Sequence, residues 1–186
     1  DGKKLVFVSD RTGGDNIWTL DLATGDTTQI TQGNGNQYVS PDWSPDGKYL
    51  VVSRGSGDFA AVKLHLFHVD GGSGLALVPP GPQTAQLKTL GAAFSPDGKK
   101  IWFAARSGDW HYNSIFPQYQ LGVFDRATGE MAQESRRYGS AFRPAVSPDG
   151  KWLTYATRFE ANTGLRIRNL ATGDENWLVY PIQRDD

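Results

Sequence analysis

The chain has 186 residues, 38% hydrophobic and 12% aromatic, with a formal net charge of −1. That length fits one domain, or part of one, with a real core, and the balanced charge gives no electrostatic case for nucleic acid or an anionic membrane surface. Cysteine is absent, which excludes disulfides, thiolate zinc sites and cysteine nucleophiles; no run of about 18 apolar residues offers a membrane span.

The sequence opens on DGKK at 1–4, a turn signal cut short, and then KLVFVS at 4–9 reads as a strand. The Gly-rich TGGDN at 12–16 is a loop, IWTLDL at 17–22 a second strand, and DLATGD at 21–26 a turn leading to an outer strand near 26–31. GNGNQ at 33–37 is another loop. A short strand then ends in Trp43 and meets SPDGK at 44–48. YLVVSR at 49–54 and KLHLFHV at 63–69 follow as strands, VDGGSG at 69–74 as a turn, and 75–79 as an outer strand. The next unit runs through Phe94, SPDGK at 95–99, KIWFAA at 100–105, QLGVFD at 120–125, DRATGE at 125–130 and an outer strand near 130–135. The last runs through Val146, SPDGK at 147–151, WLTYAT at 152–157, LRIRNL at 165–170, NLATGD at 169–174 and 175–180.

Asp-Gly pairs therefore begin at Asp1, Asp46, Asp97 and Asp149, at intervals of 45, 51 and 52 residues, and near-even periods of this size signal a repeat architecture. Pro presets φ for the first turn position, Asp suits the second, and Gly supplies the positive φ of a bulged hairpin. Two turns per period imply four strands per unit, mostly apolar on both faces, so each unit must bury itself against its neighbours. A β-sandwich with similar hairpins is the alternative. The recurrence of SPDGK in phase with a second motif favours propeller blades. The prediction is an all-β fold: a β-propeller of four-stranded antiparallel blades, about four of them, in approximate units 1–37, 38–87, 88–138 and 139–186. The first blade lacks its innermost strand, so the propeller is partial. The first residue is not Met and no secretory leader is visible, so the chain reads as a mature product or a piece of a longer one.

WSPDGKYLVVSR (43–54), FSPDGKKIWFAAR (94–106) and VSPDGKWLTYATR (146–158), with DGKKLVFVSDRTGGDNIWTLDLATGDTTQIT at 1–31, resemble the TolB-type, WD40-like propeller repeat. The resemblance covers essentially the whole chain and implies a blade fold. It implies three settings: TolB itself, a periplasmic interaction protein; the propellers of tricorn-like and prolyl-oligopeptidase-like peptidases; and the N-terminal propeller of bacterial amidohydrolases, which the tail at 163–186 resembles most. From it also comes the expectation of a periplasmic or secreted location.

Catalytic patterns are missing from the sequence. There is no G-x-S-x-G elbow and no H-E-x-x-H. His65 and His68 are three apart on one predicted strand, which places them on opposite faces and makes joint metal ligation unfavourable. The turn aspartates read as turn formers. No cofactor or metal is expected. Two features stand out as binding candidates. The long loop at 107–120 carries Trp110, His111 and Tyr112, with Phe116 and Tyr119, and loop aromatics make good anchors. An arginine also closes the second strand of each unit: Arg11, Arg54, Arg106 and Arg158. These would form a cationic rim for a carboxylate or acidic peptide, or pair with aspartates such as Asp10 or Asp58. Arg136, Arg137 and Arg143 fall on a neighbouring loop and extend the same expected face. The expected partner is a protein or peptide, or the rest of a larger polypeptide, with self-association to complete the propeller as a further possibility; nucleic acid and membrane insertion are not expected.

Overall fold

In the computed structural model, residues 2–56, 62–78, 87–106, 119–137, 139–159 and 162–181 are described. They contain fifteen β-strands and no helix, hence no helix long and apolar enough to cross a membrane. The strands form four antiparallel sheets. The first is three-stranded, β1 (Lys4–Ser9), β2 (Asn16–Asp21) and β3 (Thr27–Gln29). The second is β4 (Asn36–Trp43), β5 (Tyr49–Ser56), β6 (Lys63–His68) and β7 (Gly71–Ala76). The third is β8 (Lys88–Phe94), β9 (Lys100–Arg106), β10 (Gln120–Asp125) and β11 (Met131–Gln133). The fourth is β12 (Phe142–Val146), β13 (Trp152–Phe159), β14 (Asn162–Asn169) and β15 (Glu175–Val179). In each sheet the strands pair in sequence order, the meander expected of a blade. The missing innermost strand of the first blade is as the sequence predicts.

The chain divides into two compact units, Asp1–Gly91 and Ala92–Asp186. Within the first, Ile17, Ile30, Tyr38, Leu50, Val52 and Phe67 form a core, with Val6, Val8 and Trp43 against it. The Tyr38 and Phe67 rings meet edge to face at 5.9 Å. Within the second, Trp102, Leu121, Val123, Ala141, Leu153 and Tyr155 do the same. The second strands β5 and β9 are buried along their middles, because apolar residues on both faces each need a neighbouring layer. β1 is the exception: its residues are half-buried or exposed, and Leu5 is 52% exposed. It forms an edge of its sheet.

Each innermost strand bends at the same repeat position. Ser40, Gly91 and Arg143 have φ of 54°, 59° and 52°. Each stands three residues before the large apolar residue, Trp43, Phe94 or Val146, that leads into SPDGK. The pairing register shifts there between Val39 and Asp42 and between Phe142 and Ala145. These are β-bulges that turn an edge strand, and Pro41 and Pro144 follow the bend where no ladder N–H is demanded.

Candidate functional site

The repeated turns close on themselves. Ser44 Oγ donates to Asp46 Oδ1 at 2.5 Å, the Lys48 N–H donates to the same oxygen at 3.1 Å, and the Tyr49 N–H donates to Ser44 Oγ at 2.9 Å. Ser95 and Asp97 repeat this pattern, as do Ser147 and Asp149. The serine hydroxyl, then the lysine N–H, hold the Asp97 and Asp149 carboxyls below their ordinary value, since hydrogen bonds to the charged form favour it. A carboxylate so occupied is a poor general base at neutral pH. In the second turn Asp21, Asp125 and Asn169 each accept from the backbone N–H groups two and three residues on, the local side-chain turn that favours Asx residues.

The arginines near the ends of the second strands do not share one repeat position, since Arg106 and Arg158 stand one step further from the turn lysine than Arg54 does, and their surroundings differ. Arg11 stacks its guanidinium 5.1 Å from the Phe7 ring centre and 4.7 Å from Trp18, and its Nε donates to Ser9 Oγ. Arg54 Nε donates to Asn36 Oδ1 at 3.0 Å. Among the described residues these partners are rings, a hydroxyl and an amide. Arg106 ends β9 and Arg158 is the residue before the last of β13, an equivalent point in the repeat, and both take part in interactions of their own. Trp110, His111 and Tyr112 lie outside the described residues, as does Asp58. His65 and His68 play structural parts. His65 stacks on Phe67, and burial above all lowers its pKa. His68 packs edge-on against Tyr49 and lies 3.3 Å from Asp70. No grouping of metal-ligating side chains occurs among the described residues.

Open clefts lie at the other end of the strands, beside the SPDG turns. In the first unit a cleft of about 620 Å³ is lined by Lys4, Trp43, Asp46, Gly47 and Val69 among others. In the second unit a cleft of about 540 Å³ is lined by Lys100, Val146, Asp149, Gly150 and Leu170 among others. These residues correspond one to one in the repeat. Each cleft sets a lysine and a turn aspartate around an apolar floor, a lining suited to an extended polar segment with occasional apolar side chains. No local sequence pattern marks these clefts, because their walls come from separate sheets.

A second feature lies within the 92–186 unit. Glu175 accepts from Arg137 at 2.8 Å and from Arg168 at 2.6 Å, and Arg137 also donates to the Tyr155 hydroxyl at 2.6 Å. Arg168 lies 3.9 Å from Glu134 as well. Burial alone would raise the Glu175 carboxyl, but the hydrogen bonds from Arg168 and Tyr155 and the two positive charges outweigh it and hold it below its usual value. Arg137 is therefore tied down between sheets, not part of an open cationic face. The cause is a register that places Glu175 beside Arg168, which the sequence of the 135–144 loop does not reveal.

No family model matches the chain. It is 26% identical over 193 aligned residues, 84% of its length, to the uncharacterized peptidase YuxL of Bacillus subtilis, and 28% identical over 180, 93% of its length, to the Tol-Pal system protein TolB of Francisella tularensis. Among solved structures, TolB from Acinetobacter baumannii superposes with a TM-score of 0.75 at 22% identity over 100% of this chain. The sheets have a TolB-like β-propeller fold. The chain spans 28% and 37% of the length of the YuxL and TolB relatives, and 43% of the Acinetobacter TolB chain.

Proposed function

We propose that these TolB-type blades are a non-catalytic module that binds a protein or peptide. The observation that carries this reading is the recurrence of one open cleft, with lysine and aspartate at the same repeat positions, in both units. A surface that repeats along the chain suits a ligand that is itself extended, and the likeness to TolB over 93% of the chain supports the same class. Arg11 and Arg54 in the first unit and Arg106 and Arg158 in the second serve as further contacts for acidic groups, through the planar fork that suits carboxylates, and Trp110, His111 and Tyr112 as aromatic anchors. A periplasmic or secreted location accompanies this reading.

The likeness to a peptidase favours a second reading, in which the blades flank the active site of a larger hydrolase and gate access to it. One experiment tests the module reading. The purified protein is screened on a peptide array and assayed in parallel with chromogenic amide, ester and glycoside substrates. The module reading expects retained peptides and no turnover. Turnover that disappears on mutation of a residue within 1–186 refutes it.

A further inference from the structure

The fourth sheet carries more positive charge on one face than its carboxylates answer. Arg166 lies beside Tyr155 on one side and Trp177 on the other, and Arg168 lies beside Leu153 and Glu175. Residues two apart on a strand point the same way, so Arg166, Arg168, Tyr155, Trp177 and Glu175 share a face, the one on which Leu153 and Tyr155 meet Leu121 and Val123. Arg137 reaches the same face to contact Tyr155 and Glu175. Glu175 bridges Arg137 and Arg168, and Glu134 lies near Arg168. Among the described residues Arg166 has no carboxylate partner. Its Nε and that of Arg137 are buried donors without an acceptor, an expensive state for a polar group.

The surroundings of Arg166 give the site its shape. Its guanidinium lies 4.1 Å from the Trp177 ring centre. Stacking uses the flat face of the cation and leaves its N–H edge, the fork that matches a carboxylate, for an in-plane acceptor. Trp177 in turn packs against Tyr180 at 5.2 Å and Phe159 at 6.4 Å, and Tyr180 and Phe159 are 51% and 45% exposed. Gly164 makes room for this: a Cβ there would stand 2.6 Å from the Val179 carbonyl and 2.9 Å from the Trp177 ring.

We propose that the Arg166–Trp177 shelf, beside Arg137, is an anchor for a carboxylate of the bound peptide, with an adjoining apolar residue on Phe159 and Tyr180. This rests on the peptide-binding reading above and names the chemistry of one contact. The carboxylate comes from an acidic side chain or from a C-terminus, and three dye-labelled peptides tell these apart: alternating leucine and glutamate with an amidated end, its glutamine counterpart, and the glutamine peptide with a free end. By fluorescence anisotropy one or both carboxylate peptides bind about tenfold more tightly than the amidated glutamine peptide, the scale of a charge-assisted pair. The tighter of the two identifies the source. Arg166→Gln abolishes the difference, and Arg166→Lys, which keeps the charge and loses the fork, restores part of it. If Arg166→Gln lowers the melting temperature, the Arg166 Nε–H resonance of the unmodified protein replaces it, shifting with a carboxylate peptide and not with the amidated glutamine one. Equal binding of all three peptides, a difference that survives Arg166→Gln, or an unmoved resonance overturns the anchor while leaving peptide binding intact. Binding of none overturns both.

Discussion

Glu175→Gln is the most informative single change to the framework. It keeps the shape of the side chain and removes the charge that Arg137 and Arg168 share. Breaking a fully buried ion pair costs about 3–5 kcal/mol. Here the side chains of Glu175, Arg137 and Arg168 are 20%, 22% and 15% exposed, and Arg168 keeps Glu134 nearby, so screening reduces the expected loss to about 2 kcal/mol. The pH dependence is the sharper test. The folded carboxyl titrates below its usual value near 4.5, so its contribution is fully present above that value and is lost as pH falls through the depressed folded pKa. Urea unfolding of both proteins at several pH values should show the full gap at neutral pH, closing towards the acid end, where the native carboxyl is itself protonated. A gap below about 0.5 kcal/mol at neutral pH, or one that stays constant with pH, refutes the assignment of Glu175 as the charge that holds the two arginines.

Four other outcomes are expected. Gly122→Ala places a Cβ 2.6 Å from the Phe103 ring and should cost about 1–3 kcal/mol by overpacking, read as a lower melting temperature. Ser40→Val should cost about 1–2 kcal/mol in chemical denaturation, because a β-branched residue fits positive φ badly; an unchanged midpoint would mean the bulge is not held. Ser135 Oγ takes the buried Leu121 N–H at 2.8 Å, so Ser135→Ala should cost about 1–3 kcal/mol and speed hydrogen exchange at Leu121. Ser95→Ala should raise the Asp97 carboxyl towards 3.8, the value from which Ser95 and then Lys99 draw it down, as followed by carboxyl NMR titration.

The hairpins at 44–48, 95–99 and 147–151 are legible in sequence because their chemistry is local: proline, aspartate and glycine fix the turn within five residues. The strand order follows from two such turns per repeat. The bulges are not legible, since Gly91 hints at positive φ but Ser40 and Arg143 do not. Nor are the buried hydroxyls, Thr31, Thr89 and Ser135, that accept the Ile17, Leu64 and Leu121 N–H groups; serine and threonine in polar surroundings read as ordinary loop residues. For the site, sequence picks out arginines by position but not their partners. Arg137 looks open until Tyr155 and Glu175 are placed around it, and Arg166, unremarkable in LRIRNL, gains interest only from its register with Trp177. The clefts depend on lysine and aspartate from different hairpins, a proximity that periodicity implies only after the blades are packed.

The two ends of these strands differ in how much change they tolerate. The SPDG hairpins satisfy their own polar groups, and the same five residues serve three blades that otherwise differ widely. The opposite connections obey no such template, running from the short step between β13 and β14 to the long span between β9 and β10. A chain built this way has one end that acts as standardised hardware and another that accepts custom fittings. Loops of foreign length and composition could be exchanged between β5 and β6 or between β9 and β10 without rewriting the hairpins, which makes these blades a natural scaffold for grafting new recognition surfaces.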